Sequence, residues 1–214
     1  MKNTLILFDL DGTLIDSTEA ILESFAAAYA ACGEHAPDPA AITPLIGEPL
    51  DAMFARLGIP PEQIERCVHA YKNHYRTIHT AKTTLLPDAR EAIEHAASFA
   101  HLGIVTTKTS RYSIELMEHV GLMHFFGVLV GKDDVTHPKP HPEPIRKALQ
   151  TLPSVTGDAY MIGDTCLDLD AAHSAGISGM GVLCGYGTYT QLHACTEMLF
   201  QNAAGAVRAI AKKR

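Results

Sequence analysis

Short apolar runs alternate with longer stretches of helical periodicity along most of this chain, and that alternation predicts its architecture. Leu5 to Phe8 is a continuous apolar run that stops at Asp9, the pattern of a buried parallel strand ending at a polar loop. Runs of the same kind at Leu102 to Thr106, Val128 to Val130, Tyr160 to Ile162 and Ile177 to Leu183 predict further strands. Helices are predicted between them at Asp88 to Ala100, Ser110 to Val120, Pro142 to Leu152 and Leu167 to Ala175, with Gly121 and Gly176 as stops. Such βαβ repetition implies an α/β fold with a doubly wound, Rossmann-like parallel sheet at its core.

Between Asp16 and Lys82 the strand-like runs disappear. A capping box is expected at Asp16 and Glu19, followed by an apolar stripe of Ile21, Leu22, Phe25, Tyr29 and Cys32. Leu50, Met53, Phe54 and Leu57 form a second stripe closed by Gly58. Ile64, Val68, Tyr71, Tyr75 and Ile78 form a third after Pro60 and Pro61. Antiparallel packing of these stripes predicts a helical cap domain over 16–82 inserted into a core of 1–15 and 83–214.

Composition narrows the possibilities. At 214 residues with 47% hydrophobic content, the chain has enough apolar surface for one α/β domain carrying an insertion, which excludes a disordered or fibrous protein. A formal net charge of −7 argues against nucleic-acid binding, which calls for clustered Lys and Arg. The basic run Lys212, Lys213, Arg214 reads as the cationic end of a C-terminal helix. The five cysteines, Cys32, Cys67, Cys166, Cys184 and Cys195, are odd in number and lack CxxC spacing, so neither a disulfide framework nor a zinc knuckle is expected. The apolar run before Asp9 is too short for a signal peptide, and no stretch approaches a membrane span, so a cytoplasmic location is expected.

The chemistry concentrates at predicted strand ends. In Asp9-Leu10-Asp11-Gly12-Thr13, two carboxylates lie two residues apart at the mouth of the first strand, so both can face one ligand, and Gly12 permits a sharp turn. Gly163-Asp164-Thr165-Cys166-Leu167-Asp168 repeats the arrangement at another strand mouth. Acids converging on one sheet edge repel each other, which a hard divalent cation such as magnesium would relieve. Thr106 ends a strand, where its hydroxyl could hold a phosphoryl oxygen, and Lys139 is presented stiffly between Pro138 and Pro140.

Together, DLDGT near the N-terminus, IVTT, the Lys inside HPKPHPEP and GDTxxD resemble the four motifs of haloacid dehalogenase superfamily phosphohydrolases. DLDGTLIDS followed directly by a helical insertion resembles the phosphoglycolate phosphatase-like branch. The resemblance implies a magnesium-dependent phosphatase for a small phosphorylated metabolite such as 2-phosphoglycolate, working as a monomer or homodimer. It makes Asp9 the nucleophile that forms an aspartyl-phosphate and Asp11 the acid that protonates the leaving oxygen, then the base for water. It assigns the metal to Asp9, the backbone carbonyl of Asp11 and Asp164. Asp168 would support the metal's waters or pair with the lysine. Thr106 and Lys139 would bind phosphate, and Gly47 and Glu48, in a cap loop resembling one that screens substrates, would contact substrate. Thr107 stands where this branch often has Asn. The acid at Asp11 disfavours dehalogenase and phosphonate hydrolase chemistry, while a phosphosugar mutase remains an alternative.

Other features read differently. His69, His74 and His79 recur every five residues, and at about 100° per residue successive side chains turn by about 140°, so no helix face collects them for zinc. His137 and His141 flank Lys139 and read as exposed loop residues. Gly179, Gly181 and Gly185 suggest a nonenzymatic nucleotide-binding protein, but GxGxxxG is one residue longer than the dinucleotide fingerprint.

Overall fold

The computed structural model describes residues 2–153 and 157–213. In chain order its elements are β1 (Thr4–Phe8), β2 (Ile15–Asp16), α1 (Thr18–Cys32), α2 (Pro39–Ile42), α3 (Leu50–Arg56), α4 (Pro61–Ile78), β3 (Thr84–Leu85), α5 (Ala89–Phe99), β4 (Ala100–Val105) and α6 (Ser110–His119). They continue with β5 (Phe126–Val130), α7 (Glu143–Thr151), β6 (Ala159–Gly163), α8 (Cys166–Ala175), β7 (Ser178–Val182), α9 (Tyr189–Cys195), β8 (Leu199–Phe200) and α10 (Ala203–Lys212).

Six strands form one parallel sheet in the order β5-β4-β1-β6-β7-β8, as the α/β reading expects. Alternation along β1 sends Ile6 and Phe8 to one face and Leu5 and Leu7 to the other. The first pair packs with Ala92, Ile93 and Ala96 of α5 and Val207 and Ile210 of α10. The second packs with Ile145 and Ala148 of α7 and Ala171 and Ala172 of α8. Burial on both faces is why β1 is apolar throughout. The chain leaves β1 toward β4 and leaves β6 toward β7, in opposite directions, so a crevice opens at the carboxyl ends of these adjacent strands.

A two-stranded antiparallel ribbon, pairing Ile15 with Leu85 and Asp16 with Thr84, ties the start and finish of the helical segment together. Within that segment α1, α3 and α4 enclose a separate apolar cluster that includes Phe25, Phe54 and Tyr71, with ring centroids of Phe25 lying 4.8 Å from Phe54 and 5.2 Å from Tyr71.

Several local expectations differ from what forms. The capping box at Asp16 and Glu19 is not made: α1 starts at Thr18 after Ser17, and the Asp16 carboxylate instead accepts the Thr18 amide at 2.9 Å. The Ser17 hydroxyl is diverted to Asp11. The cysteine reading is corrected as well, since Cys32 pairs with Cys67 and Cys166 with Cys195, at Cα separations of 6.2 and 5.9 Å. Packing of α1 on α4 and of α8 on α9 brings these partners together across 35 and 29 residues, which local spacing rules do not register. Short α9 and two-residue β8 lie outside the predicted elements because neither spans enough positions to establish a period. Arg214, the last residue of the basic run, lies outside the described residues.

Phe54 has no exposed surface and sits between Phe25, Tyr29 and Tyr71. Phe54→Ala is expected to lower stability by about 3–5 kcal/mol, read from urea unfolding.

Candidate active site

Strand register sets the site. Phe8 is level with Ile104 of β4 and Ile162 of β6, so the next residues, Asp9, Val105 and Gly163, share one sheet edge. Thr106 and Asp164 follow one position beyond. The Asp9 amide extends the ladder by donating to the Ile162 carbonyl at 2.9 Å. The chain then turns tightly, with the amides of Leu14 and Ile15 donating to the Leu10 carbonyl at 2.9 and 3.0 Å. Gly12 stands here at φ +77°, and a Cβ on it would lie 2.3 Å from Asp164 Oδ2, so both the backbone conformation and the close approach exclude a side chain.

Asp9, Asp164 and Asp168 converge, each offering an oxygen within 4.8 Å of the others, and all three are buried. Lys139 reaches this group from the proline-flanked loop before α7. Its ammonium, also buried, lies 2.9 Å from Asp9 Oδ1 and donates to Asp168 and, at 3.0 Å, to the Val105 carbonyl. Asp168 also caps α8, its Oδ2 accepting the Thr165 amide and hydroxyl at 3.1 and 2.9 Å. Asp164 accepts from the Tyr186 amide at 2.8 Å and from the Thr13 hydroxyl at 3.3 Å.

The charges are unbalanced, and proton affinities reflect it. Burial, reinforced by Asp168 and Asp11 and opposed by Lys139, pushes the Asp9 carboxyl up to about 7. Burial together with Asp9 and Asp168 holds Asp164 well above the usual carboxylate range. Burial works against the charge of Lys139, but Asp168 and Asp9 outweigh it and raise its pKa. Asp9 Oδ1 accepts no hydrogen bond of good geometry despite its nearness to Lys139. An all-oxygen set of buried carboxylates with an unsatisfied oxygen and surplus negative charge fits a hard divalent cation.

Asp11 stands apart from that group. Its carboxylate accepts from Ser17 and lies 3.1 Å from Lys108 Nζ, which also donates to the Tyr75 hydroxyl at 2.8 Å and sits 4.6 Å from the Tyr75 ring centroid. A cavity of about 110 Å³ opens beside it between core and helical segment, lined by Asp11, Gly47, Glu48, Tyr71, Tyr75 and Lys108 among others. Asp9, Asp164 and Asp168 are buried outside its lining.

Gly47 and Glu48 therefore face the cavity. The Gly47 carbonyl accepts the Thr107 hydroxyl at 2.8 Å, while the Glu48 carboxylate pairs with Arg56. Thr106 is buried at the sheet edge, where its hydroxyl accepts the Lys108 amide at 3.2 Å. Sequence reasoning passed over Ser17, Lys108 and Tyr75: Tyr75 read as core stripe, and Lys108 follows a recognised motif without belonging to it. The glycines of GxGxxxG have packing roles, since a Cβ on Gly181 or Gly185 would lie 2.6 Å from Leu199 or 2.1 Å from Asp164. His69, His74 and His79 face three different partners, Asn73, Glu23 and Glu115.

Residues 6–182 match the model of the haloacid dehalogenase-like hydrolase family, and the chain belongs to it. It is therefore an enzyme of the hydrolase class. It is similar to the "Probable phosphatase IndB" of Dickeya dadantii, 32% identical over 97% of this chain and 95% of that protein. It is also similar to the pyrophosphatase PpaX of Bacillus velezensis, 36% identical over 84% of this chain and 82% of that one. A haloacid dehalogenase-like family hydrolase from Streptococcus pneumoniae superposes with a TM-score of 0.86 at 28% identity, covering 99% of each chain. Among the described residues no helix is long and apolar enough to cross a membrane.

Removing the ammonium from Lys139 leaves Asp9 and Asp168 buried without their cation. Lys139→Met is expected to destabilise the protein by about 3–5 kcal/mol in urea unfolding without added metal.

Proposed function

We propose that this hydrolase is a magnesium-dependent phosphatase that cleaves small phosphomonoesters through an aspartyl-phosphate on Asp9. The observation that carries the reading is the buried group of Asp9, Asp164 and Asp168 with Lys139 set against it, at the carboxyl ends of β1 and β6. Asp9, Asp164 and the Asp11 carbonyl would hold Mg²⁺, whose charge would screen the phosphoryl oxygens from the acids around them.

In this reading Asp9 attacks phosphorus while Lys139 and Thr106 bind the equatorial oxygens. Asp11, held by Ser17 and Lys108 rather than by the acidic group, passes its proton to the leaving oxygen as the ester bond breaks. It then takes a proton from the water that attacks the aspartyl-phosphate, releasing phosphate and restoring Asp9. We assign 16–82 the role of a cap. Asp9 is only 2% exposed, so the cap opens to admit substrate and closes to exclude water.

Lys108 lies beside Asp11, on the side where the leaving group would rest, and its cation favours a leaving group that carries negative charge. The carboxylate of 2-phosphoglycolate and the second phosphate of pyrophosphate both meet that requirement, the latter in keeping with the name of the PpaX relatives.

Phosphate release should be measured on 2-phosphoglycolate, pyrophosphate and sugar phosphates, with Mg²⁺ and with chelator. Activity is expected to require Mg²⁺ and to fall on the order of a thousandfold or more in Asp9→Asn. Full activity in that variant would refute the nucleophile assignment, and isomerisation of a sugar 1-phosphate without phosphate release would mark a mutase instead.

A second measurement uses the raised pKa of Asp9. Below pH about 7 the metal-free protein holds a proton there that an incoming cation must displace. At one fixed Mg²⁺ concentration, the stabilisation read from the rise in Tm is therefore expected to be small near about pH 5.5 and to grow as pH increases through 7, toward about 3 kcal/mol where that concentration is about a hundredfold above the alkaline Kd. A shift independent of pH would count against Asp9 as a ligand.

A further inference from the structure

The loop that presents Lys139 turns that side chain inward and leaves a second group of donors outside. His137 and His141 flank the lysine at two residues' distance, and Glu143 opens α7. One ligand atom from each lies within 4.8 Å of the other two. His137 Nδ1 is 3.0 Å from Glu143 Oε2, and His141 Nδ1 is 3.9 Å from the same oxygen. Ligands bonded to tetrahedral zinc at 2.0–2.1 Å stand roughly 3.3 Å apart, a spacing these two distances bracket.

We infer that His137, His141 and Glu143 form a binding site for one Zn²⁺-class divalent cation, separate from the buried carboxylates around Asp9. Donor chemistry separates the two sites. Two imidazoles with one carboxylate suit a borderline metal, whereas the all-oxygen set suits Mg²⁺.

The loop is already arranged for the purpose. Pro138, Pro140, Pro142 and Pro144 occupy every second position, which limits the backbone freedom lost when the ligands converge. The Glu143 carboxylate is pinned by the amides of Thr136 and His137 at 2.8 and 3.0 Å. The Thr136 amide first, and then the His137 ring and amide, hold the Glu143 carboxyl below its usual value against the opposing effect of burial, so it is available as an anion. The nearest cations on α7 are engaged elsewhere, Arg146 with the Ser174 carbonyl at 3.0 Å and Lys147 with the Asp134 carbonyl.

Binding would replace the proton that His137 shares with Glu143. It would also displace the Glu143 amide from His141 Nδ1, a 3.2 Å contact at the first turn of α7, where water can take over the amide. His137 and His141 line an open groove with Glu48 and Pro49, giving a hydrated ion access, and three protein ligands leave a fourth position for water. A cation there would clamp the backbone on both sides of Lys139.

Zn²⁺ titration by calorimetry in excess Mg²⁺ tests the assignment, with circular dichroism to confirm folding of each variant. Wild-type protein is expected to bind one equivalent that His137→Ala and His141→Ala each weaken at least tenfold, while His69→Ala, which removes an exposed histidine elsewhere, retains it. A Co²⁺ complex whose visible absorption disappears in the His137→Ala/His141→Ala variant would agree. Absence of Zn²⁺ binding, or binding unchanged in that double variant, would overturn the site.

Discussion

Lys139 places its ammonium between Asp9 and Asp168 in a region closed to solvent, and much of the local structure answers to that contact. A buried carboxylate pays a desolvation cost that water cannot relieve, so the acids of β1 and α8 tolerate ionisation only where a cation and directed donors meet them. Prolines hold the lysine's loop in place. Thr165 and the cap of α8 orient Asp168, while the amide of Tyr186 orients Asp164. The surplus of negative charge that remains after Lys139 suits the group to a divalent ion.

The sheet and the helical segment divide the labour. Parallel strands buried on both faces bring Asp9, Thr106 and Asp164 to one edge by register alone, so the positions of these residues depend on backbone pairing rather than on flexible side chains. The helical segment contributes Tyr75, Gly47 and Glu48 to a cavity beside Asp11, and Lys108 links the two parts by meeting both the Asp11 carboxylate and the Tyr75 hydroxyl. Movement of the helical segment would therefore be felt at Asp11 both directly, through Ser17 at the start of α1, and through Lys108.

Most core elements were legible because their patterns are long and unambiguous. The apolar run of β1, the stripes of α1 and α4 and the stop at Gly176 all rest on periodicity or on a φ that glycine adopts readily. The capping box at Asp16 was misread because α1 starts one residue later, after Ser17, whose own hydroxyl turns to Asp11 six residues back instead of capping the helix. The cysteine pairs and the contacts of Lys108 escaped for a related reason: each joins residues 29 or more positions apart.

Read alone, the order of residues determined the α/β class and singled out the acids, threonine and lysine from which a phosphatase site would be built, because side-chain period and short motifs are local properties of a chain. Tertiary structure decided which of those groups touch, which carboxylates share the lysine and which one stands apart with Ser17 and Lys108. It also decided that two exposed histidines and a helix-opening glutamate face one another. Those outcomes depend on strand register, helix packing and burial, and these exist only once distant segments are in contact.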